Sequence, residues 1–494
     1  MTKDKFYIST AIDYVNARPH VGHAFEKVLA DAIARWNRLN GKDVFFLTGV
    51  DENAQTNVQA AEKAGVPIKE FIDQNAHHFK DLCNKLEISY DEFVRTTAKD
   101  HSIVVQKILK KIMDKGDIYK AKYEGLYCVG CELYYSEKEL INGKCPDHNK
   151  EPELRKEDAY FFKLSKYQKE LQKIIPKYVV PESKVHEVLN RVKEELNDIC
   201  ISRYKANWGI DFPNDKDFKI WVWVDALINY VSGLKDKEKT YWPAQLHVVG
   251  KGINWFHSVI WPALLLSAGY KLPEKLLVHG YLTTEGKKMS KSLGNVVDPL
   301  ILLEKYSADS IRYSLLRCSV FDDSDYSEEL IIERHNIELA NKLGNLVSRV
   351  SNLAEKYGVE KSKPSLPIDK TLKEVESHFK NYELHKVLET IFTYIDKTNE
   401  YIQEKKPWEV RSPQREAPQQ SEEAHSKSES NSRKVLYELV LAIKNIAILI
   451  SPFIPETAEK IAETFNFKIS LDELDKPLKE SKIKKSEILF KKIQ

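Results

Sequence analysis

Residues 5–51 read KFYISTAIDYVNARPHVGHAFEKVLADAIARWNRLNGKDVFFLTGVD, and this stretch decides the fold. KFYISTAI (5–12) is a short apolar run of the kind that becomes a buried strand. A loop with Pro19 and Gly22 follows. Val28, Leu29, Ala32, Ile33, Trp36 and Leu39 then recur at helical spacing until Gly41. DVFFLTGVD (43–51) is a second strand. Strand, loop, helix and strand form a βαβ unit, whose handedness rule predicts a parallel sheet.

The same grammar returns far downstream. QLHVVG (245–250) and KLLVHGYL (275–282) read as strands, with NWFHSVIWPALLLSAG (254–269) as the helix between them. One open α/β sheet split by an insertion follows. The spacing predicts the first half of this sheet domain over 1–117, the insertion over 118–215, the second half over 216–326 and helices over 327–494. The segment 411–432, RSPQREAPQQSEEAHSKSESNS, is almost devoid of apolar residues and is expected as a disordered loop.

The 494 residues carry 76 Lys plus Arg against 74 Asp plus Glu, so global charge does not announce a nucleic-acid partner. Any such surface must be local. No apolar run of about eighteen residues suggests a membrane span. The amino terminus has no signal-peptide or transit pattern, and with six cysteines the composition fits a reducing cytoplasmic setting.

Three constellations carry chemistry. His20-Val21-Gly22-His23 lies between a strand and a helix, where an α/β sheet opens its ligand crevice. The helix amino terminus and two imidazole donors suit phosphate, and Gly22 lets a nucleotide approach the backbone. KKMSKS (287–292) places Lys288 and Lys291 on a loop after a late strand, as point charges for phosphate. Cys128-x-x-Cys131 and Cys145-x-x-His148 form two knuckles that bring four ligands to a tetrahedral zinc, read as structural because no position is left for water. A catalytic zinc requires that one of these ligands be absent.

His20–His23 and Lys288–Ser292 together resemble the two signature motifs of class I aminoacyl-tRNA synthetases. The resemblance implies that imidazoles and ammonium groups converge on one bound ATP, delivered with Mg2+. It implies a split Rossmann-type sheet, a zinc-knuckle connective insertion and an all-α anticodon-binding bundle. The knuckles within a short insertion resemble the methionyl-tRNA synthetases in particular.

That family resemblance then assigns further residues. Ile12, Tyr14, Trp223, Ala226 and Tyr230 border the methionine, with Asp51 facing its ammonium group and His279 near its sulfur. A thioether gains from aromatic edges, which suits such a wall. Arg203 in ISRYKANWGIDFP is a possible partner of the active site. Asn341, Asn345 and Arg349, spaced by four, share a helix face, and with Trp408 they match the family's anticodon readers.

Four positions depart from the family pattern: Asn53-Ala54 replaces a usual His-Gly, Leu227 a frequent proline, and Gly252 a common aspartate beside the nucleotide. The implied partners are methionine, ATP and methionine tRNA, with a monomer expected because no oligonucleotide-binding module follows. Leucine, isoleucine and valine enzymes carry a larger editing insertion, and in cysteinyl enzymes the zinc meets substrate. A catalytically silent tRNA binder and a small nucleotidyltransferase remain as rivals from other classes.

Overall fold

The structure is a computed structural model that describes residues 3–128, 133–135, 137, 140–146, 149–284, 286–288, 297–409, 418–478 and 483–493. The opening βαβ unit forms as expected: β1 (Lys5–Tyr14), α1 (Val21–Leu39) and β2 (Asp43–Asp51). α1 ends before Gly41, whose φ of +79° suits a residue without Cβ. With β3 (Glu92–Arg95), these strands build a six-stranded sheet in the order β3, β2, β1, Leu246–Gly250, Lys275–His279, Val179–Val180. All its pairings are parallel.

The chain steps outward in one direction from β1 to β3 and in the other from Leu246–Gly250 to Lys275–His279. The switch point therefore lies between β1 and Leu246–Gly250, and the loops after these strands flank the crevice. Tyr7, Leu47, Val249, Leu276 and Val278 are buried in the large core beneath it.

Gly49 pairs with Val94 across β2 and β3, and a Cβ there would overlap the Val94 carbonyl and lie 2.8 Å from its nitrogen. Backbone cannot swing aside as a side chain can. Gly49→Ala is expected to lower stability by about 1–3 kcal/mol, read as a lower melting temperature of the purified chain.

The insertion is not a self-contained module. It does contain a four-stranded antiparallel sheet, Leu133–Tyr135, Ile118–Cys128, Glu153–Phe162 and Ile199–Cys200. Its helices Gln168–Tyr178 and Glu182–Lys193, however, bury Leu171, Ile175, Val185 and Val188 in the main core, and Val179–Val180 extends the main sheet.

The chain divides into two compact units, one of Met1–Ala30 with Asp43–Tyr281, the other of Asp31–Lys42 with Leu282–Gln494. This division differs from the expected boundary at 326/327. The second half of α1 belongs to the second unit, where Arg312, fully buried, pairs with Asp31 at 2.7 Å and donates to the carbonyls of Pro452 and Phe453. Trp36 stacks flat on Phe379 at 4.3 Å in the same unit. Long-range packing sets the boundary, not the change from α/β to α pattern at residue 327.

The second unit is mainly helical, with Glu328–Arg334, His335–Gly344 in π-helical turns, Asn345–Tyr357, Asp369–Lys380, Leu384–Lys405, Pro418–Ile450 and Pro455–Phe465. The expected disordered loop is corrected here: residues 418–432 are the first turns of the helix Pro418–Ile450. Residues 435–450 anchor that helix in the core, so it grows toward its amino terminus without a new nucleus. Past Pro418 the segment has neither Gly nor Pro, and Glu429 pairs with Arg433 one turn on. Residues 410–417 lie outside the described set. Among the described residues no helix is long and apolar enough to cross a membrane.

Candidate active site at the carboxyl ends of the parallel strands

His20 and His23 cap the start of α1. The backbone N–H of His20 donates to His23 Nδ1, and that of Gly22 donates to His20 Nδ1, both at 3.0 Å. An N–H can only donate, so each Nδ1 is an acceptor and each neutral ring carries its proton on Nε2. The rings stack at 3.8 Å. A Cβ at Gly22 would stand 2.8 Å from His20 Cε1, so this fold of the ring over the helix start requires glycine.

An aromatic wall stands on the helix Val222–Ser232, where Trp223, Ala226 and Tyr230 share one face by their spacing of three and four. Trp223 stacks on Phe256 at 3.6 Å and meets the edge of Tyr14 at 6.3 Å. His257 completes it: Tyr230 Oη lies 2.7 Å from His257 Nε2, and His257 Nδ1 lies 2.9 Å from the Ile253 carbonyl. The carbonyl accepts, so Nδ1 bears the proton and Nε2 accepts from the tyrosine. Burial lowers the His257 pKa to about 4, which keeps the imidazole neutral. Ile12 lies opposite Gly49 in the β1–β2 ladder, and Tyr14 opposite Asp51. Asp51 is 1% exposed, and its Oδ1 accepts from the Asn53 backbone N–H at 3.1 Å.

A buried charge cluster underlies the histidines. Lys27 Nζ lies 2.8 Å from Asp13 Oδ2 and donates to the Ala11 carbonyl at 3.0 Å and to Glu26 at 3.3 Å. Burial alone raises the Glu26 carboxyl, but the Lys27 charge and the hydrogen bond from His279 outweigh it and hold Glu26 at about 2. His279 sits on this side, with Nε2 3.1 Å from Glu26 and Nδ1 2.7 Å from the Gly280 carbonyl. The described ring contacts bring His257, not His279, to Trp223 and Tyr230.

In the second unit, Lys287–Lys288 is a two-residue strand antiparallel to Leu282–Thr284, with Thr283 opposite Lys288. Lys291 lies outside the described residues. Further along, the Arg349 guanidinium lies over the Trp408 ring at 4.1 Å. Asn341 and Asn345 are exposed on the same run of helix, Asn341 within its π-helical turns.

In the insertion, Cys128 ends its strand and Cys145 follows a tight turn. Both are buried in one small cluster with Tyr135. Cys131 and His148 lie outside the described residues, and among the described residues no group of three or more metal-binding side chains occurs.

The family profile for "tRNA synthetases class I (M)" matches residues 6–151 and 138–351, and that for "Anticodon-binding domain of tRNA ligase" matches 367–494. The methionine–tRNA ligase of Clostridium acetobutylicum is 40% identical over 99% of this chain and 78% of its own length. That of Caldanaerobacter subterraneus is 41% identical over 99% and 79%. The chain belongs to the methionine–tRNA ligase family. Among solved structures, Mycobacterium tuberculosis methionyl-tRNA synthetase bound by methionyl-adenylate superposes with a TM-score of 0.92 at 35% identity, over 99% of this chain and 100% of that one. Its free form superposes with a TM-score of 0.85 at 33% identity, over 100% and 99%.

Against the family pattern, the departure at Gly252 has a partner in the structure. A Cβ at Gly252 would overlap the Tyr281 hydroxyl, so that hydroxyl fills the space a side chain at 252 would need. Lys251 Nζ stands 4.8 Å over the same ring. Asn53 is likewise engaged, its amide donating to Asp225 Oδ2 at 2.7 Å. Arg203 lies over the rings of Trp221 and Tyr127. His257 is the wall residue that sequence reading missed. Its signal was one imidazole inside WFHSVIW, four residues after Ile253 on the same helical face.

Proposed function

We propose that this chain activates methionine with ATP to methionyl-adenylate and pyrophosphate, then transfers the methionyl group to the 3′ end of methionine tRNA. The observation that carries the reading is the aromatic wall of Tyr14, Trp223 and Tyr230 with a neutral imidazole, His257, reached by the Tyr230 hydroxyl. A thioether needs polarizable edges and no strong donor, and a ring held neutral by burial suits it. His257 takes the place beside the sulfur first expected for His279.

Ile12 and Ala226 complete the side-chain pocket, and Asp51 receives the ammonium group. One methionine carboxylate oxygen attacks the α-phosphorus of ATP as the bond to the bridging oxygen breaks and pyrophosphate leaves. His20 and His23 offer Nε2–H donors to the phosphate oxygens where charge develops. Gly22 leaves room for the nucleotide. Lys288 and Lys291 neutralise the departing pyrophosphate, and Mg2+ arrives with ATP. Positioning and electrostatics supply most of the rate. In the second step a ribose hydroxyl of the tRNA attacks the methionyl carbonyl and AMP leaves.

Asn341, Asn345, Arg349 and Trp408 read the anticodon, an unstacked base lying on the indole while amide and guanidinium groups meet base edges. Arg349 and Trp408 lie together, the guanidinium over one face of the ring, which supports a joint role for the two side chains. Cys128, Cys131, Cys145 and His148 hold a structural zinc, and the two described thiols, buried in one cluster, fit that donor set. Cys128→Ser is expected to lose about one zinc ion per chain by metal analysis and to melt earlier. The protein acts as a monomer in the cytoplasm.

Pyrophosphate exchange and tRNA charging with each of the twenty amino acids test the function. Methionine alone should support both, and exchange driven by another amino acid in its place would overturn the reading.

A further inference from the structure

The clamp around Asp225 has no role in the chemistry above. Asp225 is 1% exposed and sits between Trp223 and Ala226 on the first turn of Val222–Ser232. Its Oδ1 lies 2.5 Å from His101 Nε2, and its Oδ2 accepts from Asn53 Nδ2 at 2.7 Å. The other ring nitrogen of His101 meets the hydroxyl of Ser232, at the far end of the same helix, at 2.7 Å. The Asn53 amide also donates to the Thr96 carbonyl at 3.2 Å, while its backbone N–H donates to Asp51 Oδ1. Asn53 thus hydrogen-bonds both carboxylates, one at the end of β2 and one on the wall helix.

We propose that Asn53 is a positioning residue for methionine, setting the distance between the ammonium-binding carboxylate and the aromatic wall. The oxygens of Asp51 and Asp225 that face residue 53 accept from it, so the segment between them must present donors. A neutral amide does so without adding a positive charge. The negative charge of Asp51 is then left for the substrate ammonium, whereas a cation at residue 53 would compete for it. The amide fixes how far the wall helix stands from β2, and an amino acid is held at both ends only when that spacing is right. The bonds described for the clamp join residues 51, 53, 96, 101, 225 and 232, so its loss is expected to act on the methionine side.

This inference rests on the proposed methionine activation. Its test uses Asn53→Ala, which deletes the donor, and Asn53→Asp, which keeps the size but presents an acceptor. Methionine and ATP KM values come from pyrophosphate exchange, and methionine affinity without ATP from calorimetry. In both variants methionine KM and Kd should rise about tenfold or more while ATP KM stays within about twofold, the loss expected for a hydrogen bond to a charged group. A methionine KM within about twofold of wild type, or methionine and ATP KM rising in parallel, overturns the role of Asn53. Because Asn53→Ala adds no buried charge, it keeps the test open if Asn53→Asp fails to fold. A wild-type chain without methionine-dependent exchange would sink the functional reading instead, so the two failures are distinct.

Discussion

Lys27→Met is expected to lower the stability of the chain by about 3–5 kcal/mol, the usual cost of breaking a buried ion pair from one side. The Lys27 side chain is 2% exposed, those of Asp13 and Glu26 10% and 9%, and the ammonium answers both carboxylates. Methionine fills the volume but leaves two negative charges in the interior with His279 beside only one of them. Even in the wild type, burial raises the Asp13 carboxyl to about 6 against the pull of Lys27. Without that pull the Asp13 carboxyl titrates higher still in the folded chain than in the unfolded one. The folded state then binds more protons, so the variant gains stability as pH falls, and its deficit should narrow from about pH 8 to about pH 5. Urea unfolding at several pH values measures both effects. A deficit below about 1 kcal/mol, or one that widens on acidification, would contradict the cluster as described.

His20→Ala and His23→Ala should each reduce the rate of methionine-dependent pyrophosphate exchange by about a hundredfold to a thousandfold, the range for removing one preorganised donor. Both rings have Nδ1 occupied by a backbone N–H, which leaves the remaining proton on Nε2, and His23 Nε2 stands 3.8 Å from Asp13 Oδ1. Methionine KM should change little, since neither ring joins the aromatic wall in a described contact. The double variant should lose less than the product of the two, because the rings stack and His23 accepts from the His20 backbone. Steady-state exchange at saturating methionine checks this. A loss under about threefold in either variant would remove the phosphate role.

The residues that local pattern could reach were reached for local reasons. The alternation of apolar runs and helical spacing over 5–51 and 245–282 encodes strands and helices directly, and the sheet assembled from them is parallel as that order requires. Trp223, Ala226 and Tyr230 entered through the family resemblance, and the helix Val222–Ser232 then sets them on one face. Asn341, Asn345 and Arg349 were legible by their spacing of four, although π-helical turns over 335–344 alter their angular relation.

What the sequence by itself determined, then, is every feature whose cause lies within about one turn or one strand: the βαβ grammar and the place of the histidine motif at the start of α1. Only the tertiary structure decided which partner each side chain meets. It put His257 rather than His279 against Tyr230, set the Tyr281 hydroxyl over Gly252, joined Val179–Val180 to the main sheet and carried a helix through 418–432. Periodicity reports which face is apolar. The choice among distant partners is made by packing volume and by hydrogen bonds between residues tens to hundreds of positions apart, and local sequence carries no record of it.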